Sequence, residues 1–108
     1  MKTDQARRFA LSLPEVTEEP HFQSASFRIR GKIIATVPPG DEHLHIFVSE
    51  EDREIALATE PAFIEKLYWG KRVAGLRVML EKAKPGVVER LLKLAWKHKA
   101  PKSLHGLI

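Results

Sequence analysis

The chain has 108 residues, of which 44% are apolar and 30% charged, with no cysteine and a formal net charge of +4. That length supports one hydrophobic core and not two, and the missing thiols exclude disulfides, cysteine nucleophiles and cysteine-ligated zinc or iron–sulfur centres. No apolar run approaches the roughly 18 residues of a membrane span, and the opening MKTDQARRFALSLPEV lacks the apolar stretch and cleavage site of a signal peptide, so one cytoplasmic domain over residues 1–108 is expected.

Ala6, Phe9, Ala10 and Leu13 recur at three- and four-residue spacings with Arg7 and Arg8 off that stripe, which predicts an amphipathic helix over 3–13, ended by Pro14. EVTEEPHFQ, residues 15–23, mixes polarity without a period and contains Pro20; it reads as an irregular acidic connection. In SFRIRGKII, Phe27 and Ile29 alternate with Arg28 and Arg30 as far as a two-residue Arg30-Gly31 turn, in which glycine supplies positive φ. A hairpin follows, with KIIATV as its second arm. Pro38-Pro39-Gly40-Asp41 stops that arm, and HLHIFVS, with Leu44, Ile46 and Val48 alternating, is a third strand.

Ser49 stands three residues before Asp52, and Glu50, Glu51 and Asp52 suit the positive end of a helix dipole, so a helix over Glu50–Thr59 is expected. Past Pro61, KLYW and LRVML read as a second hairpin around the glycine-flanked loop GKRVAG. Pro85 opens a helix running to about His98, with Val88, Leu91, Leu92 and Ala95 as its apolar stripe. The order α-βββ-α-ββ-α is an α+β class: a mostly antiparallel sheet with helices packed against it. No segment repeats at a fixed period.

The charge is unevenly spread. Residues 1–65 hold 7 Lys/Arg against 12 Asp/Glu, for −5, while residues 66–108 hold 11 against 2, for +9. Such asymmetry points to an anionic partner. Arg28, Arg30 and Lys32 lie on the first hairpin, Lys71 and Arg72 on the turn of the second, and Arg77 on the strand after it. Gathered on one side, these six cations straddle a phosphate backbone as β-ribbon readers do. Tyr68 and Trp69 add stacking surfaces, although in a domain this small both Trp69 and Trp96 are expected in the core.

Other chemistry finds little support. Each Gly-Lys pair lacks a phosphate loop's earlier glycine and following hydroxyl: Ser26 and Glu65 stand five residues before Gly31 and Gly70, and Ile33 and Arg72 follow the lysines. His43 and His45 share a strand face and could meet a third ligand in Asp41, Glu42 or His21, but the spacing matches no recognised metal set. Glu18, Glu19 and His21 read as a solvated acidic loop. Ser24, Ser26 and Ser49 have no nucleophile-elbow glycines around them. No catalytic residue, metal or cofactor is assigned.

The blocks ALSLPEV, PHF, SFRIRGKIIAT, YWGKR and LLKLAWKHKAPKSL, in this order and over nearly the whole chain, resemble those of the MmcQ/YjbR-like family of small bacterial proteins. The resemblance implies a compact double-wing α+β fold, similar to the C-terminal domain of a bacteriophage transcription activator, and family members are usually labelled DNA-binding. It implies no catalytic residue. The positions matching the basic wing blocks are Arg28, Arg30, Lys32, Lys71 and Arg72. Two departures stand out: Gln23 follows PHF where the family usually has glycine, and Val73-Ala74-Gly75-Leu76 follows WGKR where the family continues with Gly-Trp. The expectation is a monomer or homodimer that binds double-stranded DNA through phosphates, with a protein-interaction module as the alternative.

Overall fold

The computed structural model describes residues 1–40 and 42–108. The elements are α1 (Thr3–Ser12), β1 (Val16–His21), β2 (Ser24–Ile29), β3 (Lys32–Val37), β4 (His43–Ile46), α2 (Glu50–Thr59), β5 (Ile64–Trp69), β6 (Arg72–Met79) and α3 (Pro85–Lys99), with short 3₁₀ turns at Leu80–Lys82 and Lys102–Leu107. The strands form one antiparallel sheet in the order β1-β2-β3-β4-β6-β5. Buried residues of all three helices join one cluster with Phe27, Ile29, Leu44, Ile46, Leu76 and Val78 of the sheet. The α+β class and the antiparallel sheet agree with the sequence. No described helix is long and apolar enough to cross a membrane.

Local chemistry accounts for the helix ends. Ser49 Oγ accepts the Asp52 N–H at 3.2 Å and closes the α2 N-terminus, as its position predicts. Pro85 opens α3. On α3, Trp96 is fully buried, and its Nε1 donates to the Pro14 carbonyl at 2.8 Å, which ties the helix to the connection leaving α1.

The expected acidic connection is instead strand β1. Val16 to His21 pair residue for residue with Ile29 to Ser24. As the outermost strand it exposes four of its six residues, and an edge tolerates Pro20, Glu18 and Glu19 because one side of its backbone has no ladder to complete. Its apolar alternation is absent because backbone pairing, not side-chain burial, holds it. Glu18 meets Arg7 of α1 at 3.3 Å.

The Arg30-Gly31 turn forms as read, with φ of 51° and 80°. The second turn is tighter than the expected six-residue loop. Only Gly70 (φ 61°) and Lys71 lie between paired strands, and Arg72 to Gly75 belong to β6. A bulge hides this strand from a period-two search, since Leu67 pairs with Gly75 and Tyr68 with Val73, leaving Ala74 without a partner. Gly75 is forced by packing: a Cβ there would stand 2.8 Å from the Ile46 carbonyl oxygen and 3.0 Å from the Phe47 ring. β4 ends at Ile46 rather than Ser49, and β6 at Met79.

The first hairpin carries the same defect at the same place. Phe27 pairs with Ala35 and Arg28 with Ile33, which leaves Ile34 as the extra residue and turns both Ile34 and Ala35 toward the core. The two hairpins therefore match pair for pair at an offset of 40 residues, Ile29–Lys32 with Trp69–Arg72 and Arg28–Ile33 with Tyr68–Val73. They also point the same way. β3 runs away from the Arg30-Gly31 turn, β4 returns toward it, and β6 is antiparallel to β4, so the Gly70-Lys71 turn lies at the same end of the sheet. Three inter-strand spacings separate the hairpin midlines, roughly 14 Å.

Candidate nucleic-acid interface

Opposite the helix-covered face the sheet is open. Residues paired across neighbouring strands share a face, so Glu19, Ser26, Thr36, His45, Arg77 and Glu65 form a polar row across all six strands. Ser26 Oγ donates to the Glu19 carbonyl at 2.7 Å and accepts from Arg28 Nε at 3.0 Å. At the centre of the row, burial together with the charges of Arg77 and His43 pushes the His45 imidazole down to about 4. It is neutral at pH 7, and its Nε2 is enclosed without a hydrogen-bond partner among the described residues.

The six expected cations divide into two groups. Lys32, Lys71 and Arg72 are exposed and form no ion pair with a described residue. Arg28 lies on the open face and meets no carboxylate among the described residues, contacting the Ser26 hydroxyl and, at 3.4 Å, His21 Nδ1. Arg30, by contrast, is clasped by Glu15, with Nε and Nη2 donating to the two carboxylate oxygens at 2.9 and 3.2 Å. That contact holds the Glu15 carboxyl below its usual value and raises Arg30. Arg77 faces Glu65 at 3.7 Å, too long for a hydrogen bond, so its Nε feels the charge while lacking a hydrogen-bonding acceptor among the described residues. The glutamate that matters most, Glu15, sits in the left-handed region (φ 60°) at the start of β1, and no local pattern flags its meeting with Arg30.

Between the hairpins a groove of about 540 Å³ runs along the open face. Its walls include Lys32, Arg72 and Lys99, the rings of Phe47 and Trp69, and the side chains of Thr36 and His45. Trp69 corrects the sequence reading: it is 56% exposed, whereas Trp96 is in the core. Glu65, Leu67 and Trp69 alternate onto the face that carries no helix, and Trp69 sits at the tip of the outermost strand. Its ring lies 5.7 Å from that of Phe47, and the Arg72 guanidinium stands over it at 5.8 Å. By sequence Lys99 belongs to the solvated outward face of the last helix and Phe47 to the second apolar face of HIFVS, neither with a site role; only the fold brings the end of α3 and the exit of β4 to this place.

His43 and His45 do share the open face, but no group of three His, Cys, Asp or Glu fit to hold a metal occurs among the described residues. Asp41, weighed as a third ligand, lies outside the described residues. Among the candidate serines, Ser26 and Ser49 spend their hydroxyls on the Glu19 carbonyl and the Asp52 carboxylate.

Comparison with known proteins agrees with the architecture. The YjbR family model matches residues 11–98. A crystal structure of a Deinococcus radiodurans protein with the DUF419 domain superposes with a TM-score of 0.75 at 19% identity, covering 94% of this chain and 83% of that one. No curated protein matches the chain.

Proposed function

We propose that this chain, which belongs to the YjbR family, is a cytoplasmic DNA-binding protein that grips the phosphate backbone of a duplex and performs no catalytic step. The observation that carries the proposal is the placement of both hairpin turns at one end of the sheet, roughly 14 Å apart. That spacing is close to the width of the B-DNA major groove, about 12 Å, so cations on the two turns reach phosphates on opposite rims. Lys32, Lys71, Arg72 and Arg28 supply the contacts. Arg30 and Arg77, each beside a glutamate, supply less. Phosphate contacts set position and leave base sequence unread.

Four neutralised phosphates give a slope of log affinity against log salt near −3.6, so binding falls about 150-fold between 50 and 200 mM salt. Fluorescence anisotropy with a labelled random-sequence duplex measures this directly. The triple variant Lys32→Ala, Lys71→Ala, Arg72→Ala should flatten the slope to about −0.9. Absence of binding at low salt, or an unchanged slope in the triple variant, overturns the proposal. A protein-interaction role is the second reading, favoured by Phe22, which is 94% exposed on the β1–β2 turn at the far end of the sheet. Concentration-dependent mass by light scattering, abolished by Phe22→Ser, would support it.

A further inference from the structure

The groove on the open face has the make-up of a small-molecule site as well as of a charged surface. Its volume of about 540 Å³ falls within the range of ligand pockets, and no carboxylate among the described residues lines it. Lys32 and Arg72 begin the outgoing strands of the two hairpins, so both stand at the turn end. Lys99 comes to that end as well, because Trp96 ties α3 to Pro14 just before β1. Trp69 offers its exposed indole beside them, with Phe47 behind it and the Arg72 guanidinium already over the ring. From Lys32 the groove follows β3 for four residues, roughly 13 Å, to Thr36. There the hydroxyls of Thr36 and Ser24 form no side-chain hydrogen bond with a described residue.

We infer that this groove binds a nucleotide unit, with its base against Trp69, its phosphate among Lys32, Arg72 and Lys99, and the polar edge of the base toward Thr36 and Ser24. Each part of the ligand answers a feature that the other parts do not. A phosphate alone leaves the aromatic wall without purpose, and an apolar molecule leaves three cations uncompensated. Arg72 joins the two demands: a base stacked on the indole carries its phosphate to the same guanidinium that now covers the ring. Neutral His45 adds no charge to the groove floor. Hydroxyls, which both donate and accept, suit the mixed edge of a base. The unit is the same whether it arrives as a free nucleotide or as one residue of a single strand, whose bases present open faces for stacking. Paired bases in a duplex do not. This inference therefore stands apart from duplex binding, although Lys32 and Arg72 serve both.

Because Trp96 is enclosed, ligand-induced change in tryptophan emission reports on Trp69. AMP, adenosine, inorganic phosphate and a deoxyadenosine strand of about ten residues would be titrated in parallel, with calorimetry as a second readout and circular dichroism to verify each variant's fold. AMP should quench saturably, with adenosine and inorganic phosphate each roughly tenfold or more weaker. Arg72→Ala and Lys32→Ala should each weaken AMP roughly tenfold, and Trp69→Leu should weaken it by calorimetry, while Lys71→Ala, outside the groove, leaves it unchanged. AMP binding comparable to that of the strand assigns the site to free nucleotides; strand binding at least a hundredfold tighter assigns it to single strands. Inorganic phosphate equal to AMP, or no saturable signal from AMP and strand alike, overturns the inference. Duplex binding that persists and weakens in Lys71→Ala would then leave the backbone-binding proposal intact.

Discussion

If the chain grips a duplex as proposed, Glu15 is a brake on affinity, and removing it should make the protein bind better. Its carboxylate holds both the Nε and the Nη2 of Arg30, at the tip of the first hairpin. Glu15→Gln frees that guanidinium to join Lys32, Lys71, Arg72 and Arg28, raising the number of available cations from four to five. The salt slope should steepen from about −3.6 to about −4.5, and affinity at 0.1 M salt should rise about eightfold, the effect of one added contact extrapolated from 1 M. Anisotropy across 50–300 mM salt reads both quantities. Arg30→Ala serves as the internal control. In the natural background it should change the slope little, because Arg30 is already neutralised; in the Glu15→Gln background it should restore about −3.6. A second control, Glu18→Gln, removes an equal charge that pairs with Arg7 away from the turns, so it should produce a much smaller gain. Equal gains from Glu15→Gln and Glu18→Gln, or a gain that survives Arg30→Ala, would refute the reasoning, since the effect would then be general charge and not a released contact.

Three further outcomes follow from packing and titration. Gly75→Ala drives a methyl into the Ile46 carbonyl and the Phe47 ring, and should lower stability by about 1–3 kcal/mol in urea denaturation, with a shift in Trp69 emission; a neutral result would mean that β6 yields freely there. Trp96→Phe loses the bond to Pro14 and leaves a void at the α3–β1 junction, at a cost of about 2–4 kcal/mol by the same assay; a loss under 1 kcal/mol would count against a packed junction. His45, held near 4 against an ordinary 6.5, takes up its proton later than the unfolded chain as pH falls. Its contribution is complete above pH 6.5 and is lost between 6.5 and about 4, a drop of about 1–2 kcal/mol after discounting for a half-buried ring. Urea midpoints at pH 7 and pH 4.5 should fall further for the natural protein than for His45→Gln, and equal falls would remove His45 as the cause.

What could be read from the letters was whatever a few neighbouring residues decide. The α2 cap at Ser49, the Pro85 start of α3 and the left-handed turn at Arg30-Gly31 each depend on fewer than six residues, and each forms where expected. Strand β1 was missed because its stability comes from pairing with β2, which no side-chain pattern of its own records. The bulges at Ile34 and Ala74 break the period-two signal while giving the two hairpins one shared register, so the internal match at 40 residues exists in backbone pairing and not in amino-acid identity. The same distinction governs the site. Charge is legible, but availability is not: Arg30 is occupied by a residue 15 positions away, and Arg77 faces Glu65 across a strand pair. Conversely, Lys99, read as part of a solvated helix face, reaches the groove, and Trp69, read as core, lines it. A fold that places cations and one exposed indole on its helix-free face, and encloses its other tryptophan, separates the residues that hold the sheet together from those that its packing does not require.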